Sequence, residues 1–156
     1  DCDLFVTVQG WSDKGREVHF QGTVDPKTPL AQGWLRVSHR KLDEEKSDPW
    51  RPYHTHDDKQ MLTPGQVYEV DVEIWPQCVE LPKGFQISIN IAGQDYDRPG
   101  PAVDAYVPSR GSGVFLHDHP TDRPKEIFGG KTTIHTGPKH KSYLLMPVIP
   151  KNRKST

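Results

Sequence analysis

The chain has 156 residues, a formal net charge of −1 at pH 7, 33% apolar and 26% charged residues, 13 Gly and 15 Pro. That length favours one domain with one core, and so much Gly and Pro excludes a helical bundle, while Trp-, Ile- and Val-bearing strand patterns exclude a disordered chain. The charge balance lacks the basic excess of a phosphate-binding domain, and no apolar run approaches the roughly 20 residues of a spanning helix, so neither nucleic acid nor membrane is expected as a partner.

In chain order, Leu4, Val6 and Val8 alternate with Phe5, Thr7 and Gln9, which predicts a strand. Ser12-Asp-Lys-Gly15 is a turn, with Glu17–Phe20 as its hairpin return. A loop over 22–32 leads to a predicted strand at 33–40, with Leu35 and Val37 on one face. Residues 41–61 read as a long polar connection broken by Pro49 and Pro52. The strictest alternation follows: Tyr68, Val70, Val72 and Ile74 against Glu69, Asp71, Glu73 and Trp75. Phe85, Ile87, Ile89 and Ile91 repeat it, and these two faces are expected to form the core. Residues 93–129 form a long connection, 131–135 another strand, and Tyr143–Ile149 a nearly unbroken apolar run fit for a fully buried strand, with Pro147 marking an edge or an end. The reading is one β-domain over 1–150 and a basic tail over 151–156. Short strands joined by long loops point to an all-β sandwich or jelly roll.

No chemistry declares itself. The G-x-S-x-G elbow, HExxH, paired CxxC and GxGxxG patterns are absent. Gly129-Gly-Lys-Thr132 imitates the end of a phosphate loop, but Lys125 stands where the first glycine belongs, so the stretch reads as a turn and no cofactor is expected. His54-Thr-His56 and His117-Asp-His119 could each offer two nitrogens to one metal, because i and i+2 side chains share a face of a strand. Both pairs sit in proline-flanked loop sequence, which reads as solvated histidine. Glu69, Asp71 and Glu73 read as the wet face of a strand, and Arg36, Arg40 and Lys41 as a surface basic cluster. Trp50 and Tyr53, in a polar proline-rich loop, are the best candidates for exposed, ligand-stacking aromatics. Cys2 and Cys78 read as two unrelated thiols, which points to an intracellular compartment. The chain starts at Asp1 rather than Met, as a processed product or a piece of something larger would.

Four stretches in order resemble one hydrolase family. They are Asp3-Leu-Phe-Val-Thr-Val8 followed by Asp13-Lys-Gly-Arg-Glu-Val18, then Gly33-Trp-Leu-Arg-Val-Ser-His-Arg40 and Leu62-Thr-Pro-Gly-Gln-Val-Tyr68. The last is Thr133-Ile-His-Thr-Gly137 followed by Ser142-Tyr-Leu-Leu-Met-Pro-Val-Ile-Pro150. Together they resemble the C-terminal, non-catalytic domain of the X-prolyl dipeptidyl-peptidase and cocaine-esterase-like (CocE/NonD) serine hydrolases. The resemblance implies a jelly-roll β-sandwich of the galactose-binding type that packs on an α/β-hydrolase catalytic domain and helps shape its substrate cleft. It implies that the Ser-His-Asp triad lies on that other domain, so no catalytic residue is carried onto this chain. Members of the family have a strand before the first hairpin. Its lack here leaves an expected exposed edge, open to an upstream fragment or a second copy as a homo-oligomer. Two other readings stand beside this one. The first is a stand-alone carbohydrate-binding module using Trp50 and Tyr53; the second is a metal-dependent β-fold enzyme using His54, His56, His117 and His119.

Overall fold

A computed structural model describes residues 1–20, 27–96, 117 and 119–149. Its strands are β1 (Asp3–Trp11), β2 (Glu17–Val18), β3 (Ala31–Arg36) and β4 (Gln86–Ala92), and its one described helix is a single turn, α1 (Lys125–Phe128). The four strands form an antiparallel sheet, and the fold is all-β, as the sequence indicates.

β1 is the hub. Its first half, Asp3–Val8, pairs with Arg36–Ala31 of β3 along one edge, and Gly10 and Trp11 pair with Val18 and Glu17 of β2 farther along that edge. Phe5–Trp11 pairs with Ala92–Gln86 of β4 along the opposite edge. The Ser12–Gly15 turn is tied by the Gly15 N–H to the Ser12 carbonyl, 2.9 Å, with Gly15 at φ +69, where a side chain would be strained.

Opposed residues in an antiparallel pair point to the same side, so the register defines two faces. One carries Asp3, Phe5 and Thr7 with Trp34, Arg36 and Asn90; the other carries Leu4, Val6 and Val8 with Leu35, Ile89 and Ile91. Leu4, Phe5, Val6, Val8, Leu30, Leu35 and Val37 form the buried apolar core among the described residues, with Pro29 fully buried beside Leu30. Leu30 lies over Gly10, where an added Cβ would come within 3.0 Å of it. Gly33 lies against the backbone of Glu73 and Ile74, and a Cβ there would collide with the Glu73 carbonyl oxygen.

Several expected strands are corrected. β3 ends at Arg36 and turns into one 3-10 turn, Val37–His39, that buries Val37 and Ser38. Residues 68–75 keep their alternation in burial up to Val72 but form no ladder; the segment meets the sheet through the Trp75 N–H, which donates to the Gln32 carbonyl at 2.9 Å, and Pro76 then removes the next donor. The expected core faces at 68–74 and 85–91 are likewise corrected: the core lies on β1 and β3, and Ile87, Ile89 and Ile91 stay 40–47% exposed. The 131–135 and 143–149 stretches form no strands, and the apolar run expected to be fully buried is largely exposed. A strand needs a partner backbone as well as an apolar face, and among the described residues neither stretch makes a ladder with one. Residues 41–55, read as a polar connection, fold back as an arm. Leu42 bridges His54, Asp48 bridges Arg51, and Pro49-Trp50 makes the turn at the tip.

Parts of the expected 22–32 loop and 93–129 connection, including Asp118, and the 151–156 tail lie outside the described residues. No described helix is long and apolar enough to cross a membrane. Cys2 and Cys78 are free thiols, the latter exposed.

Candidate functional site

The sheet's polar face, at the Asp3 end of β1, opens into a cleft of about 390 Å3. Its floor is an ion-pair network. Arg36 Nε and Nη2 donate to the two carboxylate oxygens of Asp3 at 2.9 and 3.1 Å, and Arg36 Nη1 and Nη2 donate to Asp122 at 3.1 and 2.9 Å. Arg123 Nε lies 2.7 Å from Asp3 Oδ2. The Asp3 side chain is almost fully buried, and these contacts supply partners for both of its carboxylate oxygens. The hydrogen bonds to Asp3, and then those to Asp122, raise the Arg36 pKa above its ordinary value. Asp122 is correspondingly held below the usual carboxylate range, chiefly by its hydrogen bonds from Arg36. The Phe128 ring of α1 lies 4.8 Å from the Arg36 guanidinium, so the network also holds the 122–128 segment to the sheet.

One wall is aromatic. Trp34 meets Trp75 edge to face with ring centroids 5.1 Å apart, and the His117 ring lies 5.6 Å from Phe5 and 5.9 Å from Trp34. His117 is fixed by Asp95, whose buried carboxylate accepts its backbone N–H at 2.7 Å and lies 2.9 Å from Nδ1.

The other wall is a group of three imidazoles. His39 Nδ1 and His56 Nδ1 are 3.1 Å apart, and the His54 and His56 ring centroids are 6.1 Å apart. His54 Nε2 lies 3.1 Å from the Asp71 carbonyl. A carbonyl only accepts, so Nε2 carries the proton and Nδ1 of the neutral ring is left as an acceptor. His56 takes a left-handed backbone, φ 55, which a non-glycine residue adopts only when its surroundings hold it there. Burial lowers the pKa of His54; burial and then the neighbouring His56, Arg36 and Lys59 lower that of His39. Both rings are therefore held neutral near pH 7.

This cleft unites His54, His56 and His117 from the two His-x-His pairs, but not His119, whose Nδ1 sits 2.8 Å from the Thr121 hydroxyl. Among the described residues no group of three or more His, Cys, Asp or Glu is placed to hold a metal ion. Among the described residues that line the cleft none is Ser, Thr or Cys. Of the described carboxylates in the cleft, Asp3 and Asp122 are committed to Arg36, and Glu73 is the third.

Trp50 is 65% and Tyr53 44% exposed on the 41–55 arm, and the Lys46 ammonium covers one face of Tyr53 at 5.1 Å. The expected basic cluster is dispersed into separate pairs. Arg36 enters the ionic floor; Arg40 donates to the Gln60 carbonyl at 2.7 Å and lies over Tyr68; Lys41 meets Asp57 at 3.1 Å. Glu69 and Asp71 are exposed, as expected for the wet face of the acidic stripe, while Glu73 is half-buried and lines the cleft. Gly129 caps α1 through the Lys125 carbonyl and precedes no strand. Sequence reasoning missed His39, Trp34 and Trp75 as cleft residues. All three stood inside segments read as strands, and no local pattern marks them.

A second cleft, about 550 Å3, opens between the far end of β4 and the α1 region, with Leu4, Ile91, Phe128 and Ile134 among its lining side chains.

The described residues thus make an all-β unit with a histidine-lined cleft on the polar face of its sheet. Residues 1–145 match the family model of the X-Pro dipeptidyl-peptidase C-terminal non-catalytic domain, and the chain belongs to that family. Two solved structures of a CocE/NonD family hydrolase from Staphylococcus aureus, SACOL2612, are similar to it. One is 27% identical, with a TM-score of 0.61 over 74% of this chain and 21% of that one; the other is 27% identical, with a TM-score of 0.63 over 75% and 20%. The chain thus spans about a fifth of the length of those hydrolases. No curated protein matches it.

Proposed function

We propose that this domain is the accessory partner of an α/β-hydrolase catalytic domain of the X-Pro dipeptidyl-peptidase or ester-hydrolase type, on which it packs and whose substrate cleft it helps to shape. The observation that carries this reading is the apolar run at 143–149. Tyr143 and Val148 are each 78% exposed and Ile149 is 84% exposed, a cost that a partner surface would remove. The parent's chemistry is acyl transfer to a serine of the other domain, and the role of this chain is to pack and orient.

The test is to assay a CocE/NonD-type hydrolase domain with and without this chain, using an activated ester and an X-Pro anilide. The chain alone should turn over neither. Added in trans it should bind the hydrolase domain and change its KM, and Val148→Asp with Ile149→Asp should weaken that binding at least tenfold. Turnover by the isolated chain, or no association, would overturn the reading. A carbohydrate-binding role has one observation in its favour, the exposed Trp50 at the tip of the 41–55 arm. A glycan array that lights up with the chain and goes dark with Trp50→Ala would support it.

A further inference from the structure

We infer that β4 is a self-pairing edge, and that a second copy of this chain adds to the sheet there, antiparallel and about a two-fold axis at Ile89. β4 pairs with β1 along one edge, and among the described residues no strand pairs with the other. Natural edge strands are commonly blunted by Lys, Glu, Pro or inward-pointing charge. The β4 sequence, Gln-Ile-Ser-Ile-Asn-Ile-Ala, contains no charged residue and no proline. It is also open on its apolar face, where Ile87, Ile89 and Ile91 are 40%, 43% and 47% exposed.

The occupant follows from the pattern. Turning β4 antiparallel against itself about Ile89 sets Ile87 opposite Ile91, Ile89 opposite Ile89, Ser88 opposite Asn90 and Gln86 opposite Ala92. From Ile87 to Ile91 apolar residues meet apolar ones on one face and polar residues meet polar ones on the other. A slip of one residue would set no isoleucine against another and would bring the side chains to the wrong face. An isologous contact needs such self-complementarity, and a strand of arbitrary sequence does not supply it. Charge does not oppose the approach, since the strand is neutral and the chain carries a net charge of −1. Two copies would join their sheets into one continuous sheet, with the six isoleucines forming a single apolar strip. The contact is short by the standard of stable interfaces, so the dimer is a concentration-dependent one. This inference does not depend on the accessory role, and its test needs no hydrolase domain.

Sedimentation velocity of the 156-residue chain over a wide concentration series should show a reversible monomer–dimer equilibrium. Ile89→Lys should weaken it at least tenfold, while Val67→Lys, which also alters an exposed apolar side chain but lies off β4, should leave it unchanged. Ile87→Lys alone should weaken it as well. Adding Ile91→Glu to Ile87→Lys should restore it, because the two-fold sets the new ammonium of one copy against the new carboxylate of the other. Far-ultraviolet circular dichroism confirms that each variant is folded, and the restoring pair cannot be mimicked by misfolding. A chain that stays monomeric throughout would overturn the inference. So would a dimer indifferent to Ile89→Lys, which would place the contact on another surface such as 143–149, or a pair of opposite charges that fails to restore association.

Discussion

The two sides of β1 are built differently. On the β3 side, Leu30 and the backbone of Glu73 and Ile74 cover the apolar face, while Arg36, Asp3 and the aromatic wall close the polar one. On the β4 side the same register presents three isoleucines that stay 40–47% exposed, and 143–149 lies largely open as well. Both sides carry the alternation that predicts a buried face. The difference teaches that alternation states which face is apolar, while burial depends on whether another segment reaches it.

Substitutions that separate the two sides test this contrast. Leu35→Ala on the covered side should cost about 2–4 kcal/mol in urea unfolding, as a buried leucine does. Ile89→Ala on the open side, measured at a concentration where the chain is monomeric, should cost less than about 1 kcal/mol. Equal losses would show that β4 is covered after all. Next in size is Arg36→Ala. It strips Asp3 of two hydrogen bonds and should cost about 2–3 kcal/mol, below the ~3–5 kcal/mol of a fully buried pair because Arg123 remains beside it. Lys41→Ala, which removes the exposed contact with Asp57, should leave the urea midpoint unmoved.

Gly33→Ala should cost about 1–2 kcal/mol by pushing 73–75 off β3, the price of overpacking a tight contact. Trp75 fluorescence should report the displacement, since its indole packs on Trp34. The smallest effect is the pH dependence of the imidazole wall. His39 and His54 have lowered pKa values when folded, and the reference value is 6.5. Below about pH 6.5 the unfolded chain therefore takes up protons that the folded chain refuses, and stability falls with acidification; above it, these two groups contribute no slope. The urea midpoint should drop between pH 7.5 and 5.5, and His39→Gln with His54→Gln should flatten that drop.

The first hairpin was legible because everything it needs is local: alternating residues at 4–9, a Ser-Asp-Lys-Gly turn and a short return. Two of the three members of the imidazole wall, His54 and His56, were also visible, as a spacing of two. His39 was not, because it joins them only when the arm at 41–55 folds back and the chain after β3 makes its 3-10 turn. Likewise nothing in the run of residues around Asp3, Arg36 and Asp122 announces an ion-pair network, since its members are brought together from three separate stretches.

The amino-acid order by itself determined the all-β class, the leading hairpin and the positions of the apolar faces, because side-chain alternation and turn chemistry act within a few residues. The tertiary structure alone decided which extended segments became strands and which histidines, tryptophans and charges share a cleft. A ladder requires the donors and acceptors of a second backbone, which no pattern within one segment supplies.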